Sequence, residues 1–239
     1  MGAPTRTIRG LMALGLAVGL VAAFVAACGS SGLGGHNGSG SSLPSGLESN
    51  LDELDSYQFQ WQDTSDLSTA LATDAGALQT SGIVINGPAK SYMINALGMI
   101  QVIVIGSKGW MSHDNGATWK PDTAHSADSS ALLALLPYSA YGSVFDTNAA
   151  EFIAGGSENK NGIDCIHYTP SADLRVVTNM AWPHAAFRAD LWVASGGNYP
   201  VSGFYGWSGT PGVQLGSWGY SFEITNVDDS GNKVAAPTT

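Results

Sequence analysis

Residues able to do chemistry are few in this chain and badly spaced for most of it. His36, His113, His125, His167 and His184 share no metal-ligand spacing, and no two of them stand four apart. Gly206-Trp207-Ser208-Gly209 begins like a nucleophile elbow, but its second glycine comes one residue early for G-x-S-x-G. Asp52, Glu53 and Asp55 sit together, the pattern of a solvated helix face. The 19 acidic residues would allow many carboxylate pairs for glycoside hydrolysis, and nothing in their spacing selects one. Walker, dinucleotide and EF-hand sequences are missing. The expectation is a protein with no catalytic residues, no metal and no cofactor.

One cysteine is better placed. Residues 1–10 carry Arg6 and Arg9 and no acid, and residues 11–27 are apolar or glycine throughout. Those 17 residues would rise about 26 Å as a helix, marginal for a hydrocarbon core of about 30 Å. A basic start, an apolar run and small residues at its end are the grammar of a secretory signal. The run ends in Val25-Ala26-Ala27-Cys28, which resembles the bacterial lipobox, with Val25 where the common pattern has Leu. That resemblance implies cleavage before Cys28, diacylglycerol on its sulfur and a third acyl chain on its new amino group. At about 0.8 kcal/mol per buried CH₂, such an anchor is stable. A transmembrane helix with a chance cysteine is the alternative.

The segment after Cys28 suits a tether. Of residues 29–46, 13 are Gly or Ser, with one Pro and no charge, so the segment cannot bury a core. The organisation expected is a signal at 1–27, lipidated Cys28 with a tether to 49, and one folded domain over 50–239. Losing Arg6 and Arg9 leaves seven basic residues against 19 acidic ones. A chain so acidic has no cationic face for phosphates, which excludes nucleic acid as a partner. With Cys28 lipidated, Cys165 has no disulfide partner and reads as a buried, inert thiol.

Short strands dominate the rest. Tyr57, Phe59 and Trp61 alternate with Gln58, Gln60 and Gln62, a period of two with one apolar face. Further strands are expected at 83–85, 91–96, 99–105, 109–113, 117–120, 149–158, 162–169, 186–195, 199–207 and 215–228. Asn115-Gly116, Asn161-Gly162 and Gly196-Gly197-Asn198 fall between runs, where hairpins need residues that tolerate positive φ. Helices are expected at 126–136, which stops at Pro137, at 171–180, and at 46–55. The fold class is α+β: a large curved antiparallel sheet, with a few helices on one face. Ser112-His113-Asp114-Asn115-Gly116-Ala117-Thr118-Trp119 matches the Asp-box, S-x-D-x-G-x-T-W, familiar from sialidases. A single copy, outside any repeat, is a stable turn and no active site. Seven tryptophans suit sugar stacking, but their dispersion along the chain reads as core and rim positions.

Several pieces together resemble one family. Leu54-Asp55-Ser56-Tyr57-Gln58-Phe59 looks like the first strand of exported lipoproteins related to the carrier LolA and to the mycobacterial LppX/LprG group. Gly109-Trp110-Met111-Ser112 followed by Gly116-Ala117-Thr118-Trp119-Lys120 is similar to a hairpin of that family. Gly162-Ile163-Asp164-Cys165-Ile166-His167-Tyr168 resembles its "G-v-x-c-x-h-Y" strand. Ala189-Asp190-Leu191-Trp192-Val193 and Gly197-Asn198-Tyr199-Pro200-Val201 resemble its late hairpin. The match runs in order over most of 50–227. It implies an unclosed half-barrel with helices on the concave face, and a cavity between them that holds acyl chains. Few Lys and Arg residues, and a short helical insert, set the chain apart from that pattern.

The resemblance and the residues meet at one segment. Leu132, Leu133, Leu135 and Leu136, continued by Tyr138, Tyr141 and Phe145, offer more apolar surface than one packing face needs. Together with Met99 they are the candidate cavity lining; a buried core helix has the same signature. The function expected is a monomeric lipoprotein, held by lipid on the outer face of the bacterial cell membrane. It would bind an acyl-chain ligand and could serve lipid or lipoprotein transfer across the cell envelope. A non-catalytic envelope module binding glycan or protein is the alternative.

Overall fold

A computed structural model describes residues 42–64, 79–96, 98–122, 145, 146, 148–171, 186–209 and 216–238. Within them, eleven strands form one antiparallel sheet. In chain order these are β1 (Ser56–Asp63), β2 (Gln79–Ile85), β3 (Ser91–Ala96), β4 (Ile100–Ile105), β5 (Lys108–Ser112) and β6 (Lys120–Asp122). The second half holds β7 (Phe152–Lys160), β8 (Ile163–Pro170), β9 (Ala186–Ala194), β10 (Pro200–Ser208) and β11 (Ser217–Thr225).

The spatial order is β6-β5-β4-β3-β2-β1-β11-β10-β9-β8-β7. Two meanders, β1–β6 and β7–β11, are therefore joined where the first strand pairs with the last. The sheet does not close into a barrel, and β6 and β7 are its two edges. The junction is tied by the chain after β11. Asn232 donates to Ser56 Oγ (2.9 Å) and to the Asn226 carbonyl, and accepts from Gln58 Nε2 at 3.0 Å. The Asp228 carboxylate accepts from the Ser56 N–H (3.1 Å).

The described residues are mostly β. Helix among them is limited to α1 (Leu47–Leu51), the helical pair Phe145 and Asp146, and a 3-10 turn at Ala149–Glu151. The expected helices at 126–136 and 171–180 lie outside the described residues, and the one expected at 46–55 shrinks to the five residues of α1. Leu43 and Leu47, expected in the tether, are buried, and the Leu43 N–H donates to the Ala149 carbonyl at 3.2 Å.

Strand positions follow the alternation closely. Several edges moved. β2 begins at Gln79, four residues before the expected start, and β11 is Ser217–Thr225 where 215–228 was expected. Two other edges moved for local reasons. β6 starts at Lys120, not 117, because the Thr118 N–H is bonded to the Asp114 carboxylate (2.8 Å) and cannot join a ladder. β7 starts at Phe152 because the 3-10 turn occupies the residues before it. Asn161-Gly162 makes a two-residue hairpin between Lys160 and Ile163, with φ of 54° and 82°. That left-handed pair suits the twist of the strands it joins.

Candidate functional site

Side chains alternate between faces along each strand, so the register assigns them. One face carries Tyr57, Phe59 and Trp61 of β1 beside Ile224, Phe222 and Tyr220 of β11. On one side it continues through Val84, then Tyr92, Ile94 and Ala96, then Val104, Val102 and Ile100. On the other side it runs through Tyr205 and Trp207, Ala189 and Leu191, Tyr168 and Phe152. All of these are buried. The face is largely apolar from β5, where Met111 is buried, to β7, and at the β6 edge it presents Lys120 and Asp122.

Its richest part is an aromatic band. Trp61 stacks on Tyr220 with ring centroids 4.8 Å apart, and Tyr220 lies 5.6 Å from Tyr205. Tyr205 meets Trp207 edge-on at 5.8 Å, and Trp207 meets Phe187 at 5.3 Å. Phe145 joins from outside the sheet, 5.3 Å from Phe152 and edge-on to Tyr205 at 6.5 Å, with none of its surface exposed. Such pairs prefer offset or edge-to-face geometry, and each contributes about 0.5–1.5 kcal/mol beyond area burial. Two rings sit over glycines. Gly82 faces Phe59 across the β1–β2 pair, and Gly203 faces Phe222 across β10–β11. A Cβ at Gly82 would lie 2.7 Å from Phe59 Cζ, and one at Gly203 would lie 2.8 Å from Phe222 Cζ.

The buried side chains of this face among the described residues carry no Asp, Glu, Lys, Arg or His. Burial pushes the Tyr57 phenol well above its ordinary range, and Asp52 and Glu48 push it further. Burial also raises Tyr92. Burial thus favours the neutral form of both hydroxyls.

Of the residues expected to line a cavity, Phe145 is in this band. Met99 stands in the turn before β4 with 56% of its surface exposed. Leu132, Leu133, Leu135, Leu136, Tyr138 and Tyr141 lie outside the described residues, as does Cys28. Trp61, Tyr205, Trp207 and Tyr220 were not expected as a group. Their i, i+2 pairs, Phe59/Trp61, Tyr205/Trp207 and Tyr220/Phe222, put bulky rings on one face of three neighbouring strands. The pairs are visible in the sequence; the adjacency of β1, β11 and β10 is not.

The opposite face is mixed: Ile83, Met93, Ile103 and Trp110 adjoin across β2–β5, and polar side chains hold much of the rest. On β7–β9, His167 Nε2 is 2.8 Å from Asp190 and Nδ1 is 3.2 Å from Glu158. Its ring stacks on Trp192 at 4.3 Å, Trp192 Nε1 donates to Glu158 (2.9 Å), and Lys160 Nζ sits 4.0 Å from the Trp192 ring centroid. The Trp192 hydrogen bond is the main reason the Glu158 carboxyl lies below its ordinary range. Covered by His167 and Lys160, the Trp192 ring offers no open platform for a sugar. A shallow trough of about 280 Å³ lies across β1–β3 and β11, with Gln58, Gln60, Asn95 and Glu223 beside Ile83 and Met93 in its lining.

The remaining candidates are structural. Asp114 accepts from Thr118 Oγ1 (2.6 Å), the Thr118 N–H and Ser112 Oγ (2.7 Å), so the Asp-box closes the β5–β6 turn. Cys165 is fully buried, and burial raises its thiol. Among the described residues, no three His, Cys, Asp or Glu side chains group as a metal site.

No known protein family and no curated protein sequence matches the chain. The fold is similar to that of a lipoprotein. LppX from Mycobacterium tuberculosis is 12% identical with a TM-score of 0.41, over 80% of this chain and 94% of that one. MucB of Pseudomonas aeruginosa, solved in complex with MucA, is 11% identical with a TM-score of 0.35, over 81% of this chain and 57% of that one. A LolA superfamily protein from Nitrosomonas europaea is 12% identical with a TM-score of 0.24, over 78% of this chain and 93% of that one.

Proposed function

We propose that this protein is an exported lipoprotein, anchored through Cys28 to the outer face of the bacterial cell membrane, that binds lipid acyl chains against the apolar face of its open sheet. One observation carries the reading: the apolar face runs from β5 to β7, ten strands of the sheet, yet the sheet does not close on itself. A closed barrel covers such a face with its own far wall; an open one needs another cover. Phe145 shows where part of it comes from. It belongs to the connection from β6 to β7, which must pass from one edge of the sheet to the other, and it packs onto the face at Phe152 and Tyr205. Leu132, Leu133, Leu135, Leu136, Tyr138 and Tyr141 lie in the same connection, and in this reading they meet acyl chains there. Cys28 and the Gly/Ser tether keep the domain, as a monomer, beside a membrane from which such chains are drawn. Transfer of lipid across the envelope is the role that fits an anchored, non-catalytic binder.

Native mass spectrometry of the full chain carrying Cys28→Ser, purified from a lipid-containing host, tests the binding. Co-purified acyl species are the expected result. A bare mass, together with no uptake of a fluorescent fatty acid, would overturn the reading.

A further inference from the structure

Trp61 is 4% exposed and points into the apolar face, stacked on Tyr220. Its indole Nε1–H finds no acceptor among the described residues. A buried donor left unpaired is costly, and native proteins rarely leave one without a partner. Its in-register neighbour on β2 is Thr80, also buried. Thr80 is the one buried Ser, Thr, Asn or Gln on this face among the described residues, because Ser56, Ser91, Ser112, Ser202 and Asn232 lie on the other face or beyond the sheet. The apolar face thus has a polar point at Trp61, made of an indole donor beside a hydroxyl.

From this geometry we infer that the acyl ligand is bound by its ester linkage as well as its chains, with a carbonyl oxygen accepting from Trp61 Nε1 and Thr80 alongside. The inference rests on the acyl-binding reading above and names the chemical class within it. Only an acceptor satisfies an N–H, so a plain hydrocarbon leaves Trp61 unpaired. A carboxylate would also accept, but a buried charge needs a partner. The inward positions of β1, β11, β10 and β9 hold no Lys, Arg or His among the described residues. A neutral ester oxygen meets both conditions.

The test compares three probes of equal chain length, a methyl ester, the free fatty acid and the alkane, on the full chain and on Trp61→Phe. The wild-type protein is expected to bind the ester best, by about fivefold over the alkane, the scale of one neutral hydrogen bond. Trp61→Phe should erase that preference while both probes still bind. An ester preference that survives Trp61→Phe, or that is absent from the wild type, overturns the inference. So does a free acid that binds tighter than the ester at neutral pH. Failure of all three probes on the wild type would instead sink the acyl-binding reading itself. Should Trp61→Phe not fold, infrared spectra of an ester with an isotope-labelled carbonyl decide on the wild type. A stretch lowered from its value in alkane supports the bond, and an unshifted one refutes it.

Discussion

Replacing Gly203 by alanine tests whether the phenyl ring of Phe222 occupies the space where a Cβ would go. Gly203 lies in β10 with extended backbone, so alanine meets no backbone strain there. The new methyl would press on Phe222 Cε1, lie 2.8 Å from Phe222 Cζ and 3.2 Å from Leu191 Cδ1. Phe222 is 1% exposed and Leu191 is fully buried, so neither has room to withdraw. Overpacking of this kind costs about 1–3 kcal/mol. Against it stands a gain of about 0.4–1 kcal/mol, because alanine restricts the unfolded chain. The net expectation is a loss of about 1–2 kcal/mol, read as a lower urea midpoint at unchanged m-value. The obstacle is side chain alone, so Phe222→Leu should relieve it. In that background Gly203→Ala should cost at least about 1 kcal/mol less than in the wild type, a coupling of the size seen between touching residues. Gly82→Ala makes the contrast. There the methyl also meets the Met93 carbonyl, which the β2–β3 pairing holds, so Phe59→Leu should rescue little. A neutral Gly203→Ala, or strict additivity with Phe222→Leu, would show that the ring does not lie over the glycine.

Four other perturbations have outcomes fixed by local geometry. Asn232→Ala strips partners from Ser56, Gln58 and the Asn226 carbonyl, and should lower stability by about 1–3 kcal/mol in urea titration. Gly162→Ala puts a Cβ on a residue at φ 82° in open space, so backbone strain alone should cost about 1–2 kcal/mol by thermal unfolding. The Asp114 carboxyl is lowered from 3.8 to about 2, first by the Thr118 hydroxyl. A depressed carboxyl stabilises fully above its unfolded value and ceases to as pH falls through its folded one. Melting temperature should therefore drop between about pH 4 and pH 2, and Asp114→Asn should lose that part of the slope. Cys28→Ser should abolish incorporation of labelled palmitate and release the protein from the membrane fraction; label that persists would refute lipidation at Cys28.

Local pattern alone determined a good deal. Tyr57, Phe59 and Trp61 fall on one face because successive side chains in a strand point opposite ways, whatever the strand pairs with. Asn115-Gly116, Asn161-Gly162 and Gly197-Asn198 all take positive φ, as expected of residues whose steric cost there is lowest. The Asp-box is equally local in the bonds of Ser112, Asp114 and Thr118 that close it, all within five residues. Only the tertiary structure decided that β1 pairs with β11. That contact joins residues far apart in the chain, Gln58 with Thr225 for example, and is chosen by register and packing between distant strands. Everything built across the junction was hidden with it. Trp61 meets Tyr220 and Phe222 covers Gly203 because β1, β11 and β10 lie side by side. His167 likewise finds Glu158, Asp190 and Trp192 only once three strands are in register. A period of two tells which way a side chain points; what it points at depends on the neighbouring strand.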